Sequence, residues 1–135
     1  MVRYLASADR QGGHALTWED VILIARELPE VEQSTSYGTP ALKVRGKLLT
    51  RLRPELHSVV FFDVALDEKD MLMDVSPGIF HTTPHYDGYP MVLAYLAGLE
   101  PDTARPFLAR RWRNIAPKRA VAAWDARASS TGPTG

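Results

Sequence analysis

Between positions 42 and 53 the chain alternates, with Leu42, Val44, Gly46, Leu48, Thr50 and Leu52 at even positions and Lys43, Arg45, Lys47, Leu49, Arg51 and Arg53 at odd ones. A period of two, apolar on one side and cationic on the other, predicts a half-buried pair of antiparallel strands turning at Gly46. Directly opposed residues share a sheet face, so a two-residue loop at Gly46-Lys47 would set Arg45 against Leu48 and mix the faces. The pattern therefore predicts a three-residue connection, Arg45-Gly46-Lys47 or Gly46-Lys47-Leu48, with Gly46 or its neighbour at positive φ.

The same reading extends along the chain. Residues 1–15, with Gly12-Gly13 and no sustained period, read as a flexible leader. Thr17 and Asp20 fit a capping box, Leu16 and Val21 fit a hydrophobic staple, and Trp18, Val21, Ile22, Ala25 and Leu28 recur at helical spacing until Pro29. A short strand fits Gln33 to Tyr37, before the turn formers Gly38-Thr39-Pro40. Pro54-Glu55 makes a turn, and His57 to Phe62 is a strongly β run. Asp67, with Asp70, is expected to start a second helix that buries Met71, Leu72 and Val75 and ends at Pro77-Gly78. Ile79 to Thr83 and Met91 to Leu96 read as strands.

A last helix is expected to begin with Asp102 or Thr103 as cap and to tolerate Pro106 in its first turn. Ala104, Phe107, Leu108, Trp112 and Ile115 fall on its apolar side, with Arg110 and Arg113 opposite. Arg111 projects between Phe107 and Ile115, so it must snorkel or meet a carboxylate. Pro117 breaks the helix, which resumes over 118–128, and 129–135 read as a disordered tail. The elements predict an α+β two-layer sandwich, an antiparallel sheet with helices on one face in the order α-β(3-4)-α-β(2)-α, forming a single domain over 16–128.

Composition narrows the classes. The chain of 135 residues is long enough for one domain with a real core. It has no cysteine, which excludes disulfides, thiolate chemistry and Cys-ligated zinc. There is neither a long apolar run nor a signal-peptide pattern, so a cytoplasmic location and no membrane partner are expected. Formal net charge is zero, yet the charge is segregated. Residues 33–54 hold Lys43, Arg45, Lys47, Arg51 and Arg53 with no acid, and residues 103–124 hold Arg105, Arg110, Arg111, Arg113, Lys118 and Arg119 with no acid. Acids cluster in 19–32 and 55–102. Such blocks either steer a partner or neutralise one another within the fold.

Catalytic chemistry finds little support. His81 and His85 are four residues apart, but Pro84 and the strand-and-turn context remove the helical geometry a metal pair needs, so His85 and Tyr86 are read as tying a turn to the core. Ser36 and Ser76 lie in no nucleophile elbow, Asp67 and Asp70 are explained as caps, and no glycine-rich phosphate loop exists. Neither metal nor cofactor is expected, and the chain reads as non-enzymatic. The basic hairpin suits phosphate contacts along a duplex, and without aromatics interleaved on its face single-strand stacking is the weaker expectation.

Ser36-Tyr37-Gly38-Thr39-Pro40-Ala41-Leu42-Lys43-Val44-Arg45-Gly46-Lys47, then Phe80 with Thr83-Pro84-His85-Tyr86, then Arg111-Trp112-Arg113 with Ala116-Pro117-Lys118, resemble the MmcQ/YjbR family across roughly positions 17 to 125. The resemblance implies a sandwich related to secretion-chaperone-like folds. It also implies DNA binding through a double-wing arrangement of sheet hairpins and brings no catalytic residues. The combined expectation is a binding domain for double-stranded DNA with low sequence specificity, using Lys43, Arg45, Lys47, Arg51 and Arg53 with Arg110, Arg113, Lys118 and Arg119. The alternative is a protein-interaction module or homodimer, in which the basic sheet face meets an acidic surface such as that around Asp67 to Asp74.

Overall fold

The computed structural model describes residues 15–130, with side chains through Arg127. Helix α1 (Trp18–Ala25) starts with the expected capping box. Thr17 Oγ1 accepts the Asp20 N–H at 3.1 Å, and the Asp20 carboxylate accepts the Thr17 N–H at 3.0 Å. Leu16 and Val21 are both buried, as a hydrophobic staple requires. Strands β1 (Val31–Ser36), β2 (Thr39–Val44), β3 (Lys47–Arg53) and β4 (Ser58–Phe62) follow, then helix α2 (Leu66–Val75), strands β5 (Phe80–His81) and β6 (Met91–Tyr95), and helices α3 (Pro101–Ile115) and α4 (Lys118–Ser130). All six strands form one antiparallel sheet in the order β1-β2-β3-β4-β6-β5. This is the expected α+β class.

The helices pack on one face. Val21, Ile24 and Ala25 of α1, Ala104, Phe107, Leu108, Trp112 and Ile115 of α3, and Ala120 of α4 share a core with Leu42, Val44, Leu49, Val59, Phe61, Val92 and Ala94 of the sheet. The rings of Phe61 and Phe107 stack at 4.7 Å. On the opposite face, Val60 and Leu93 are covered by Tyr86 with Leu56, Phe62 and Met91, and by none of α1, α3 and α4 among the described residues.

The first hairpins depart from the parity argument in an instructive way. Arg45 (φ 53°) and Gly46 (φ 84°) alone form the β2–β3 turn, flanked by the pair Val44 and Lys47. Two consecutive positive φ values mark the type I′ turn, whose twist matches that of the strands. The odd residue that parity demands lies in the strand instead: the register shifts between Leu42 and Lys43, and Leu49 is the extra residue of a β-bulge. The bulge puts Leu49 and Thr50 together on the core side and leaves Leu48 outside. Tyr37 (φ 51°) and Gly38 (φ 78°) build the same two-residue turn between β1 and β2.

Other boundaries shift for local reasons. Helix α3 is capped at Glu100, with Pro101 in its first turn where a missing N–H is harmless, so Asp102 and Thr103 are already helical and Pro106 sits one turn further in. Helix α2 begins at Leu66 without a side-chain cap, and the Asp67 carboxylate accepts only the neighbouring Glu68 N–H, at 2.9 Å. Its covered side carries Lys69 and part of Leu72, while Met71 and Val75 are 50% and 69% exposed. The reason is that Lys69 reaches from α2 to two carbonyl oxygens of loop 82–90 (below). The strand expected over 79–83 shrinks to Phe80–His81. Pro117 separates α3 from α4 as expected. Of the expected leader only Ala15 is described, and 1–14 lie outside the described residues. Of the expected tail, Ser129 and Ser130 are helical backbone, and 131–135 lie outside.

Candidate nucleic-acid interface

The helix-free face can be read as rows running across the strands. Ser34, Ala41, Arg51, Val60, Leu93 and His81 form one continuous row from β1 to β5. Beside it, Ser36 pairs with Thr39, and Arg53, Ser58 and Tyr95 follow in register. On the other side Glu32, Lys43 and Leu48 align. The face divides into two halves. Loop 82–90 lies over β4 and β6, whereas β1, β2 and β3 present a floor of Ser34, Ser36, Thr39 and Ala41 bordered by Lys43, Arg51 and Arg53.

Of the nine cations expected to bind, Lys43, Arg51 and Arg53 share this open face, Arg45 stands in the β2–β3 turn, and Lys47, expected on the same face, flanks the turn opposite Val44, on the helical side of the sheet. Arg51 Nη2 donates to Thr39 Oγ1 at 3.1 Å, and its guanidinium lies 5.4 Å from the Tyr37 ring. Its Nε is buried without a partner among the described residues, and no acid pairs with the guanidinium there. Arg53 is more occupied: it bonds the Glu55 carboxylate and the Tyr86 hydroxyl, and the Glu55 bond raises its pKa further. Arg45 reaches Glu30 at 3.4 Å. No ion pair holds Lys43 or Lys47 among the described residues.

The second basic block lies on the helical layer and faces away. Arg110 bonds Glu68 through both terminal nitrogens, at 2.8 and 3.1 Å. Arg113 bonds Asp125 twice at 2.8 Å, and Arg119 lies 3.8 Å from Glu30. Lys118 is exposed. The two basic blocks meet at Glu30, which Arg45 and Arg119 both reach, and most of the helical block is neutralised by acids from the segregated acidic segments. Arg111, expected to need a carboxylate, finds Asp63 at 3.1 Å and also donates from Nε to the Leu48 carbonyl beside the bulge, at 2.9 Å. It is a structural clamp for the bulged end of the hairpin.

The covered half of the face is built from buried polar groups. Lys69, 3% exposed, donates from Nζ to the carbonyls of Tyr86 at 2.7 Å and Tyr89 at 3.0 Å, which fixes loop 82–90. Tyr86 then packs on Val60 and Leu93 and holds Arg53 through its hydroxyl. Ser58 Oγ lies 2.8 Å from both the Leu56 carbonyl oxygen and His81 Nε2. The His81 ring stacks on Tyr95 at 3.8 Å. Ser58 is fully buried and supports the sheet rather than offering a nucleophile. His85 is exposed, edge-on to Tyr86 at 5.1 Å. Among the described residues no group of three or more His, Asp and Glu side chains converges as a metal site would require.

Burial pushes the His81 pKa below its ordinary value. Between that depressed pKa and about 6.5 the unfolded chain holds a proton that the folded chain lacks, so stability falls as pH drops through this window. Urea denaturation at a series of pH values should show the loss, with a slope of at most about 1.4 kcal/mol per pH unit. His81→Asn should flatten it. An equal slope in both proteins would assign the acid sensitivity elsewhere.

The alternation in 42–53 located the cations but not the aromatics that join them. Tyr37 comes from a turn, Tyr86 from a distant loop, and Tyr95 and His81 from β6 and β5, so no local period could reveal that the basic face also carries rings. Comparison with known proteins gives relatives of matching size. The chain is 32% identical over 122 residues to Uncharacterized protein Rv2570 of Mycobacterium tuberculosis, covering 80% of this chain and 95% of the relative. Uncharacterized protein Mb2600 of Mycobacterium bovis matches with the same identity and coverage. The chain belongs to the family of these mycobacterial proteins. No protein-family model and no solved structure matches it. The match covers nearly the whole of each relative.

Proposed function

We propose that the chain is a non-enzymatic, cytoplasmic, DNA-binding domain of the MmcQ/YjbR type, which lays the open half of its sheet along the phosphates of a duplex. The observation that supports this reading is that Lys43 and Arg51 border the helix-free face, and Lys47 the adjoining turn, with donor capacity no acid takes up. Arg110, Arg113 and Arg119 are already held by carboxylates. The contact set thus narrows to Lys43, Lys47 and Arg51, with Arg53 held beside them by Tyr86 and Glu55. Phosphate contacts of this kind position a duplex without reading its sequence, so specificity is low.

Fluorescence anisotropy with a labelled duplex over a series of salt concentrations tests the assignment. Three phosphates neutralised give a slope of log affinity on log salt of about −3. Reversing Lys43, Lys47 and Arg51 to glutamate should abolish binding, whereas Arg113→Glu should leave it within about twofold, because Arg113 faces away. Equal affinity for the triple variant and the wild type would sink the interface. Repeating the titration with a single strand shows whether the exposed Tyr37 ring adds stacking.

A further inference from the structure

The two edges of the sheet are treated differently. At one edge β5 is only two residues long and Pro84 follows it closely, which leaves nothing for another strand to pair with. At the other, β1 runs through Val31–Ser36 in unbroken register with β2, and it contains no lysine, proline, glycine or bulge. Among the described residues no strand lies outside it. Lysine, proline and bulges are devices by which soluble proteins blunt an exposed edge, and the one charged side chain that β1 carries is Glu32.

The turn geometry fixes which groups this edge offers. In a two-residue I′ hairpin the flanking pair, here Ser36 and Thr39, exchanges both backbone hydrogen bonds, and the bonded pairs then recur at every second residue. Ser36, Ser34 and Glu32 therefore direct their N–H and C=O groups into β2. Val31, Gln33 and Thr35 direct theirs outward.

We infer that a second copy of this chain pairs antiparallel along β1, with Gln33 on the two-fold axis. The edge is self-complementary in this register. Gln33 bonds Gln33 of the second copy and Val31 bonds Thr35 of the second copy, so every outward N–H and C=O is used. Glu32 faces Ser34 of the second copy and not another glutamate. Of the remaining side chains along the edge, those of Gln33, Ser34, Thr35 and Ser36 hydrogen-bond across strands, and Val31 is apolar. The register also sets Tyr37 of the second copy, 92% exposed in the single chain, level with Pro29 and Glu30. Those residues, with Ala120, Ala123 and Trp124, line an open hollow of about 440 Å³ beside the start of β1.

A two-fold axis normal to the sheet leaves both helix-free faces on the same side. Lys43 and Arg51 of both copies would then border one continuous surface, with the two β3 strands about 24 Å apart at five strand spacings. The pairing itself does not depend on the nucleic-acid reading, and its test uses no DNA.

Sedimentation equilibrium over a wide range of protein concentration should show a reversible dimer of the full chain, unaffected by salt. Gln33→Pro removes an outward N–H that β2 does not use, and should give a folded monomer. Because the chain has no cysteine, single cysteines report the register cleanly. Gln33→Cys places two sulfurs on residues about 5.5 Å apart at Cα and should oxidise to a covalent dimer. Thr35→Cys, on the same face, places them about 13 Å apart and should not. A monomer at every concentration, a dimer that tolerates Gln33→Pro, a dimer lost at high salt, or cross-linking at Thr35 in place of Gln33 overturns the inference.

Discussion

Trp112→Ala is expected to lower the free energy of unfolding by about 3–5 kcal/mol, the usual range for deleting a buried tryptophan. Trp112 has no exposed surface and stands among the core residues contributed by α1, α3 and the sheet. Its indole also packs edge-on against Trp124 of α4 at 5.8 Å and donates from Nε1 to the Pro29 carbonyl at 2.9 Å. One side chain thus joins α3, α4 and the turn that launches β1. Alanine leaves a cavity between these elements and an acceptor without its donor. Trp112→Phe separates the two effects, because it keeps much of the volume and loses only the N–H. That variant should cost about 1–3 kcal/mol. Urea denaturation followed by far-ultraviolet circular dichroism measures both. A loss below about 1 kcal/mol for the alanine variant would show that the core closes around the site, contrary to this account.

The Trp112 face illustrates what could be read from the sequence. Ala104, Phe107, Leu108, Trp112 and Ile115 follow a helical period, and all are buried. Thr17 and Asp20 formed the box their spacing announced, because a cap depends only on residues three apart. Arg111 on the apolar side demanded a carboxylate, and Asp63 supplies it from a distant loop. What period and spacing could not reveal are features that depend on tertiary neighbours. Parity required one odd residue in the β2–β3 connection, but turn and bulge satisfy parity equally well. Only the packing of Leu49 and Thr50 into the core decides for the bulge. In α2 the apolar pattern pointed to Met71 and Val75, whereas the side actually covered meets the carbonyls of loop 82–90 and takes Lys69.

The candidate interface was legible to the same degree. Alternation placed Lys43, Arg51 and Arg53 on one face correctly, because the bulge at Leu49 offsets the two-residue turn and restores the parity between β2 and β3. The partners of the cations were not legible. Glu30, Glu55, Glu68 and Asp125 each come to their arginine through the packing of separate elements or a local turn. Charge segregation along the chain therefore resolved largely into internal pairing on the helical layer. It left a smaller cationic edge on the sheet than the residue count suggested.

The smallness of that edge makes its supporting loop matter, and Lys69→Met tests the support directly. Methionine keeps the buried stem of Lys69 but removes the ammonium, leaving the Tyr86 and Tyr89 carbonyls only their backbone donors, the N–H groups of Tyr89 and Met91. The expected loss is about 2–4 kcal/mol: charge-assisted bonds contribute about 1.5–3 kcal/mol each, and relief of the buried charge offsets part of it. Burial holds the Lys69 pKa below its ordinary value, opposed by Asp87 and Asp70. Between the depressed value and about 10.5 the unfolded chain binds the proton and the folded chain does not, so wild-type stability gains as pH rises through that window. The methionine variant lacks this gain, and the gap between the two proteins should widen on alkalinisation. Hydrogen exchange should show loop 82–90 opening in the variant while the capped start of α1 keeps its protection. Freed from that loop, Tyr86 no longer orients Arg53, so the guanidinium turns toward Glu55 alone. A variant with wild-type exchange throughout 82–90 would show that the loop is held by Tyr86 packing on Val60 and Leu93, and that Lys69 only fills the space beneath it.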